Sequence, residues 1–219
     1  MVISQKVRIF FIFIFLMGLS ACAVDRSTVS VEAPEDISNP VNGVEVKLVT
    51  VTDDRVFEFK PATPDIPSLS ESEIANTDIK ARAFARKRNS YGQALGDVIL
   101  PEGQTVAGIM RRALMHAFRS AGYRVIEPGD PGYENAVPVD AKIIQFWSWI
   151  EWGFWELGVR NRAEVSLKAP TGKLDKGVTV LNEIVTKHSA VFDSDWQQSA
   201  TAGMQGISAK ITEELKRGQ

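Results

Sequence analysis

The stretch VDAKIIQFWSWIEWGFWELGVRNRAEVSL, residues 139–167, joins two long strand patterns through a turn that is rich in aromatic residues. Between Val159 and Leu167, apolar side chains alternate with charged ones. A period of two is typical of a strand with one buried face and one solvated face. We therefore predict strands over Val139–Trp149 and Val159–Leu167, in an antiparallel sheet with one face in water.

Further strand patterns lie on both sides of this stretch. A third long strand is predicted from Val178 to Phe192, after the turn residues Pro170–Lys173. Val44–Leu48 alternates in the same way and predicts the first strand of the domain. Val56–Phe59 is either a second short strand or a continuation of the first, and Tyr123–Ile126 predicts another short strand.

Two amphipathic helices accompany these strands. The first is predicted from Gln104 to Ala121, where apolar residues form one stripe and Gly122 is suited to end the helix. The second is predicted over Asp195–Arg217 and carries a similar stripe. We therefore predict one α+β domain over residues 43–219, with an antiparallel or mixed sheet of about 4–5 strands and both helices packed on one face.

Residues 61–98 interrupt this pattern. Pro61, Pro64 and Pro67 break regular structure, and the segment is polar over most of its length. Within it, the loose apolar spacing of Ser72–Arg88 indicates a helix. We predict that residues 61–98 form a long polar excursion from the domain.

The N-terminus has the pattern of a secretory signal peptide. Lys6 and Arg8 precede an unbroken apolar run over Ile9–Met17. This run is shorter than the roughly 20 residues needed to cross a ~30 Å hydrocarbon core. A basic start, a short apolar region and small residues after it are typical of an export signal. We predict that residues 1–21 are removed.

The end of this segment, Leu19-Ser20-Ala21-Cys22, resembles the lipobox of bacterial lipoproteins. In that class the cysteine thiol receives a diacylglyceryl group, and a dedicated peptidase then cleaves before the cysteine. Cys22 is the single cysteine of the chain and cannot form an internal disulfide. The alternative is ordinary cleavage at an A-x-A site formed by Ala21 and Ala23. We predict lipidation at Cys22, with Leu19, Ser20 and Ala21 as the recognition residues; two or three acyl chains would give stable anchoring.

The residues after the cysteine indicate where the domain is held. Residues 22–42 are polar, contain Pro34 and Pro40 and show no apolar period, which predicts a flexible tether. Ala23 follows the cysteine where an aspartate would favour retention at the inner membrane, by resemblance to the sorting rule of enteric bacteria. We therefore expect an outer-membrane lipoprotein whose domain faces the periplasm.

The whole pattern resembles the YajG-type family of uncharacterised bacterial lipoproteins. The shared features are the lipobox, the first strand, a helix ending in Ala121-Gly122-Tyr123, a strand opening at Val139–Ile144, a strand containing Arg162–Leu167 and a C-terminal helix. The resemblance covers roughly residues 43–217. It implies an envelope lipoprotein with an α+β domain, no defined activity and no functional residue beyond Cys22. The long excursion and the tryptophan-rich hairpin depart from the family pattern.

The hairpin is the strongest candidate for a binding surface. Its strand and turn carry aromatic residues on both faces, namely Trp147, Trp149, Trp152, Phe154 and Trp155. In one interpretation, one face is core and the other lies under residues 61–98. In the other, Trp152, Phe154 and Trp155 dock on a protein partner or a membrane interface, where such side chains are favoured. Glu151 and Glu156 oppose insertion into an anionic surface, so a protein partner is preferred.

Recognisable catalytic and metal motifs are missing from the sequence. Its two histidines, His116 and His188, lack ligand-spaced partners and are expected to be structural. Asp53-Asp54-Arg55 is interpreted as a turn. A net charge of −2 argues against a nucleic-acid partner. A basic cluster is expected to be a solvated face or a contact with an anionic envelope polymer or lipid head group; it consists of Lys80, Arg82, Arg86, Lys87 and Arg88.

We therefore expect a non-enzymatic lipoprotein, without cofactor or metal, that binds or scaffolds another envelope component. The first alternative is a lipoprotein that binds a small ligand or a lipid, which requires a cavity such as one between the sheet and residues 61–98. The second alternative is a hydrolase, which needs a nucleophile and a base brought together in space; loss of a defined activity on His188→Ala would support it.

Overall fold

The computed structural model describes residues 26–217. The predicted signal peptide, the recognition residues Leu19, Ser20 and Ala21, and the lipidation site Cys22 lie outside the described residues. Strands and helices are numbered here in chain order. The elements are β1 Ser27–Thr28, β2 Glu45–Asp53, α1 Thr77–Arg82, β3 Ala83–Arg88, β4 Ala94–Ile99, α2 Val106–Ser120, β5 Arg124–Val125, β6 Val137–Trp152, β7 Leu157–Lys168, β8 Val178–His188 and α3 Asp193–Lys216.

The long strand β6 organises the sheet. One of its edges pairs antiparallel with β7 from Asp140 to Trp152, and β7 pairs antiparallel with β8. The other edge is shared by two partners. Its N-terminal half pairs parallel with β2, while Ser148 near its C-terminal end pairs with Ala85 of β3. The sheet therefore forks, with β5 beyond β2 on one branch and β4 and β1 beyond β3 on the other.

The prediction of a sheet of about 4–5 strands with two helices packed on one face was wrong. The sheet is mixed and has eight strands, accompanied by three α-helices in the described chain. The missed strands are short and lie in segments that were predicted to be a tether and an excursion. Within Ser72–Arg88 only α1 is helical, because residues 83–88 pair with β4 and β6 instead. Long-range pairing thus overrides local spacing.

The segment predicted as a tether is part of the fold over its described length. Ser27 and Thr28 pair with β4, and Val29 and Val31 are buried in the main core. Further along, the Asn39 side chain donates to the Val125 carbonyl at 2.9 Å and accepts from the Val125 N–H at 2.8 Å. Two buried valines and a pair of backbone bonds outweigh the entropy that a polar segment would keep as a free linker.

Helices α2 and α3 pack on the sheet and on each other around the main core. Thr105 caps α2 by accepting a hydrogen bond from the Gly108 N–H at 3.0 Å. Gly122, with a φ of +93°, follows the end of α2 in the left-handed conformation that favours glycine. The two helices are joined by a bond from the Ser208 hydroxyl to the Ala113 carbonyl at 2.9 Å.

A second apolar cluster covers the other face of β6. Phe146 belongs to the main core, whereas Trp147 and Trp149 point to the opposite face and are buried with Leu69. The Trp147 Nε1–H donates to the Pro64 carbonyl at 3.1 Å, and the Phe57 ring meets the Trp147 ring edge-on at 5.8 Å. The segment around residues 57–69 is therefore a cover over these two tryptophans.

Candidate functional site

The β6–β7 turn projects two large aromatic side chains away from the domain. The Gly153 N–H donates to the Glu156 carbonyl at 3.1 Å and closes the turn. A Cβ at Gly153 would lie 2.5 Å from that carbonyl oxygen, so glycine is required there. Phe154 and Trp155 are each 89% exposed, and their rings meet edge-on at 4.7 Å. They pack on each other and are otherwise open to solvent.

The three predicted contact residues, Trp152, Phe154 and Trp155, therefore lie together at the turn. Trp152 is 51% exposed and begins the exposed part of the hairpin. Trp149, three residues earlier, is buried under the excursion. The aromatic run therefore divides into a covered strand and an exposed turn, and docking of the turn on a partner stays a prediction.

The acidic side chains beside the turn are ion-paired. Glu151 accepts from Arg160 Nε at 2.5 Å and from its second guanidinium nitrogen at 3.0 Å. Glu156 pairs with Lys187 of β8. These hydrogen bonds raise the pKa of Arg160 and that of Lys187, the carboxylate being the largest cause in each case. The two carboxylates therefore do not present a bare negative charge at the turn.

Three further exposed aromatic side chains lie in other turns and loops of the domain. Tyr91, 89% exposed, stands in the β3–β4 turn, where the Asn89 side chain accepts from its N–H at 3.0 Å. Phe59 lines a groove together with Tyr91. Phe192 follows β8 and is exposed at the start of α3. We call this set the aromatic end: Phe59, Tyr91, Trp152, Phe154, Trp155 and Phe192.

Sheet topology explains why the aromatic end forms. Strands β3 and β6 are parallel at the Ala85–Ser148 pair, so the turns that follow them lie at the same end of the sheet. Strand β8 also ends there, because His188 pairs with Leu157. Within residues 26–217, every exposed aromatic side chain belongs to this set. The opposite end exposes only smaller apolar side chains, such as Val41 and Val44.

The predicted basic cluster is largely occupied by contacts within the domain. Arg86 lies 3.1 Å from Asp97, and the Lys87 ammonium contacts Ser27 and Asp193. Arg88 donates to the Gly92 carbonyl and to Ser68. Arg82 donates to the Leu100 carbonyl and pairs with Asp78. These side chains hold β3 to its neighbours, which weakens the prediction that they bind an anionic polymer.

Both histidines have partners within the domain. His188 Nε2 lies 2.8 Å from the Thr186 hydroxyl, and its Nδ1 lies 3.2 Å from Asp195. The order of hydroxyl, imidazole and carboxylate resembles the nucleophile, the base and the orienting carboxylate of a catalytic triad. However, Thr186 also donates to the Val159 carbonyl, and Asp195 accepts from the Phe192 N–H at the start of α3. The contacts among Thr186, His188 and Asp195 therefore connect β8 to the start of α3. His116 contacts the Glu35 carbonyl at 2.8 Å.

Three grooves have the size of a small-ligand site, and one of them, about 570 Å³, lies beside the β6–β7 hairpin. The other two differ in volume. The larger, about 750 Å³, lies between residues 30–36 and α2, and charged side chains such as Arg111, Arg112 and Asp36 contribute to its walls. The smaller, about 390 Å³, lies beside the β3–β4 turn and includes Phe59 and Tyr91. Among the residues the structure describes, no three His, Cys, Asp or Glu side chains are placed to hold a metal ion. Over the same residues, no helix has the length and apolar character to cross a membrane.

Comparison with known proteins finds distant structural neighbours. No family model matches the chain, and no curated protein matches its sequence. One solved structure, of an uncharacterised protein, has 11% identity and a TM-score of 0.43, over 85% of this chain and 99% of that one. A protein of the DUF330 family from Xanthomonas campestris has 10% identity and a TM-score of 0.40, over 89% and 98%. The comparisons do not confirm the YajG-type resemblance, which stays a prediction.

Proposed function

We propose that this protein is a non-enzymatic envelope lipoprotein, anchored through Cys22, whose domain docks on another envelope component through the aromatic end. The single observation that carries the docking proposal is the collection of all exposed aromatic side chains, within residues 26–217, at one end of the sheet. Outer-membrane anchoring, with the domain in the periplasm, is part of the same proposal and rests on the lipobox and on Ala23.

Physical cost supports a binding role for these residues. Leaving an aromatic ring in water forgoes the roughly 25 cal/mol per Å² gained when apolar surface is buried. The fold is able to remove tryptophan side chains from water, since it buries Trp147, Trp149 and Trp196. Exposed aromatic side chains that gather at one site are typical of binding surfaces, where Trp and Tyr contribute most to affinity.

Small-ligand binding is the second candidate, and the groove of about 390 Å³ is the observation that favours it. The cavity expected between the sheet and residues 61–98 is largely filled by Leu69, Trp147 and Trp149. The groove of about 390 Å³ shares Phe59 and Tyr91 with the aromatic end, so its apolar wall is also explained by docking. A small molecule retained by the purified protein in native mass spectrometry would favour this candidate.

Site-specific photocrosslinking in cells tests the docking proposal. A photoreactive amino acid replaces Trp155 in one variant and Val41 in a matched control, since both side chains are about equally exposed but lie at opposite ends of the domain. We expect a crosslinked product, protein or lipid, with the probe at 155 and little or none at 41. Equal yields from the two lipidated and folded variants would contradict the proposal.

A further inference from the structure

We infer that the component bound by the aromatic end is the membrane surface that holds the lipid anchor, so that the domain rests on the bilayer through two contacts. This inference deepens the proposed function and rests on it. It uses the length of chain between Cys22 and the first described residue, the end of the sheet from which that chain leaves, and the charge around the aromatic end.

The chain between the lipid and the folded domain is short. Arg26 is fixed to the domain by ion pairs to Glu73 at 2.5 Å and to Asp97 at 3.1 Å, and the next two residues form β1. Cys22 precedes Arg26 by only four residues in the sequence. Four residues reach at most about 14 Å. A lipid on Cys22 would therefore hold Arg26 within about that distance of the bilayer surface, closer than a tether over residues 22–42 would.

The chain also leaves the domain at the aromatic end. Strand β1 is parallel to β4, with Ser27 beside Val98, so the chain traced back from Thr28 to Arg26 runs toward the start of β4. The start of β4 is the β3–β4 turn that carries Tyr91. Through Ala85 and Ser148 this turn shares its end of the sheet with the β6–β7 turn. A membrane held close to Arg26 therefore faces Tyr91, Trp152, Phe154 and Trp155.

Distances along the strands allow the lipid on Cys22 and the aromatic end to contact the same membrane surface. Arg26 contacts Asp97 of β4, and Asp97 is opposite Arg86 of β3. Because Ala85 is opposite Ser148 of β6, the next residue, Arg86, is level with Trp149. Arg26 is therefore roughly level with Trp149 along the strands. The turn at Gly153 is four residues beyond Trp149, about 13 Å at the usual rise of a strand. This distance matches the reach of the segment before Arg26, so the lipid and the turn can meet one surface.

The chemistry of the aromatic end fits a bilayer interface. Trp and Tyr are favoured at the level of the lipid head groups, where an apolar ring and a polar N–H or O–H are both satisfied. Glu151 and Glu156, whose charges would oppose insertion into an anionic surface, are paired with Arg160 and Lys187. The rings belong to separate turns and loops at one end of the sheet, so several of them are available to one surface. An anchored protein needs no high intrinsic affinity, because the lipid keeps the rings at high local concentration.

Tryptophan fluorescence in vesicles tests this inference. The full lipidated protein is placed in phosphatidylethanolamine and phosphatidylglycerol vesicles whose acyl chains are partly brominated, since bromine quenches indoles that touch the acyl region. Of the five tryptophans, only Trp152 and Trp155 are exposed. We expect quenching of up to roughly two fifths of the emission, their share by number. The matched variant replaces both by phenylalanine, which keeps an aromatic ring at each position and should remove the quenching.

Each other outcome contradicts a specific part of the account. If the protein floats with the vesicles but brominated lipid does not quench it, the membrane inference is wrong. In that case a protein crosslinked at position 155 in cells would leave the proposed function standing. If the wild-type chain purified from cells does not float with the vesicles, anchoring through Cys22 fails, and the proposed function and the inference both fail with it.

Discussion

At the scale of single residues, Arg55 holds the fork of the sheet together. Its side chain is fully buried and donates to the Ala83 carbonyl at 2.6 Å, on β3, and to the Phe146 carbonyl at 3.0 Å, on β6. Asp53, at the end of β2, accepts two bonds of 2.7 Å from the same guanidinium. The planar, rigid fork of donors in arginine is suited to such a junction. The sequence analysis interpreted this segment as a turn and did not anticipate its structural role.

Replacing Arg55 by methionine should therefore be strongly destabilising. The change leaves Asp53 without its buried partner and several buried carbonyls without donors, and we expect the free energy of unfolding to fall by about 3 kcal/mol. Urea unfolding followed by circular dichroism measures it. Arg112, an exposed arginine on α2, is the matched control, and its replacement by methionine should change stability by less than about 0.5 kcal/mol. Equal effects would show that Arg55 does not hold the junction.

At the scale of elements, those with a local apolar pattern could be predicted from the sequence, and those that depend on long-range pairing could not. The long elements β6, β7, β8, α2 and α3 extend over enough periods for their apolar spacing to indicate them. Strand β1 has only two residues, and β3 and β4 do not alternate buried and exposed positions; all three exist because of partners that are distant in sequence. The basic run Arg86-Lys87-Arg88 further hid β3, since its charges are satisfied by contacts that only the fold creates.

The same division applies to the candidate site. Trp152, Phe154 and Trp155 could be predicted because they are adjacent in the sequence. Tyr91 and Phe192 are single aromatic residues in separate turns, and no local pattern connects them. They join the site through the register of β3 with β6 and of β7 with β8. A sequence search for lone aromatic residues beside predicted turns would have found them, together with many false candidates.

The β6–β7 hairpin yields a prediction about stability. Replacing Trp155 by alanine should change the free energy of unfolding by less than about 0.5 kcal/mol, because the ring is exposed in the free domain. Replacing Trp147 by alanine should cost roughly 3–5 kcal/mol, since it removes a fully buried ring. Denaturant unfolding of the two variants makes the comparison. A large loss at Trp155 would mean that the turn is part of the core.

At the scale of the whole molecule, the proposed lipid on Cys22 would fix the orientation of the domain relative to the membrane. A tether over residues 22–42 would have let the domain turn freely relative to the membrane. Because β1 begins at Ser27 and Arg26 is ion-paired, the proposed lipid on Cys22 would be only four residues in sequence from a part of the chain that is fixed to the domain. The account therefore explains two features together, the packed N-terminal residues and the exposed aromatic rings, through one surface that meets both.

The most direct measurement of the central claim is the chemical accessibility of the aromatic end in the anchored protein. Trp155→Cys and Val41→Cys are made separately, and a small thiol reagent is applied to membranes and to detergent-released protein. The account expects modification at position 155 to be severalfold slower in membranes than in detergent, with no such difference at position 41. Equal rates at position 155 in both conditions would show that nothing covers the aromatic end, and would contradict the account.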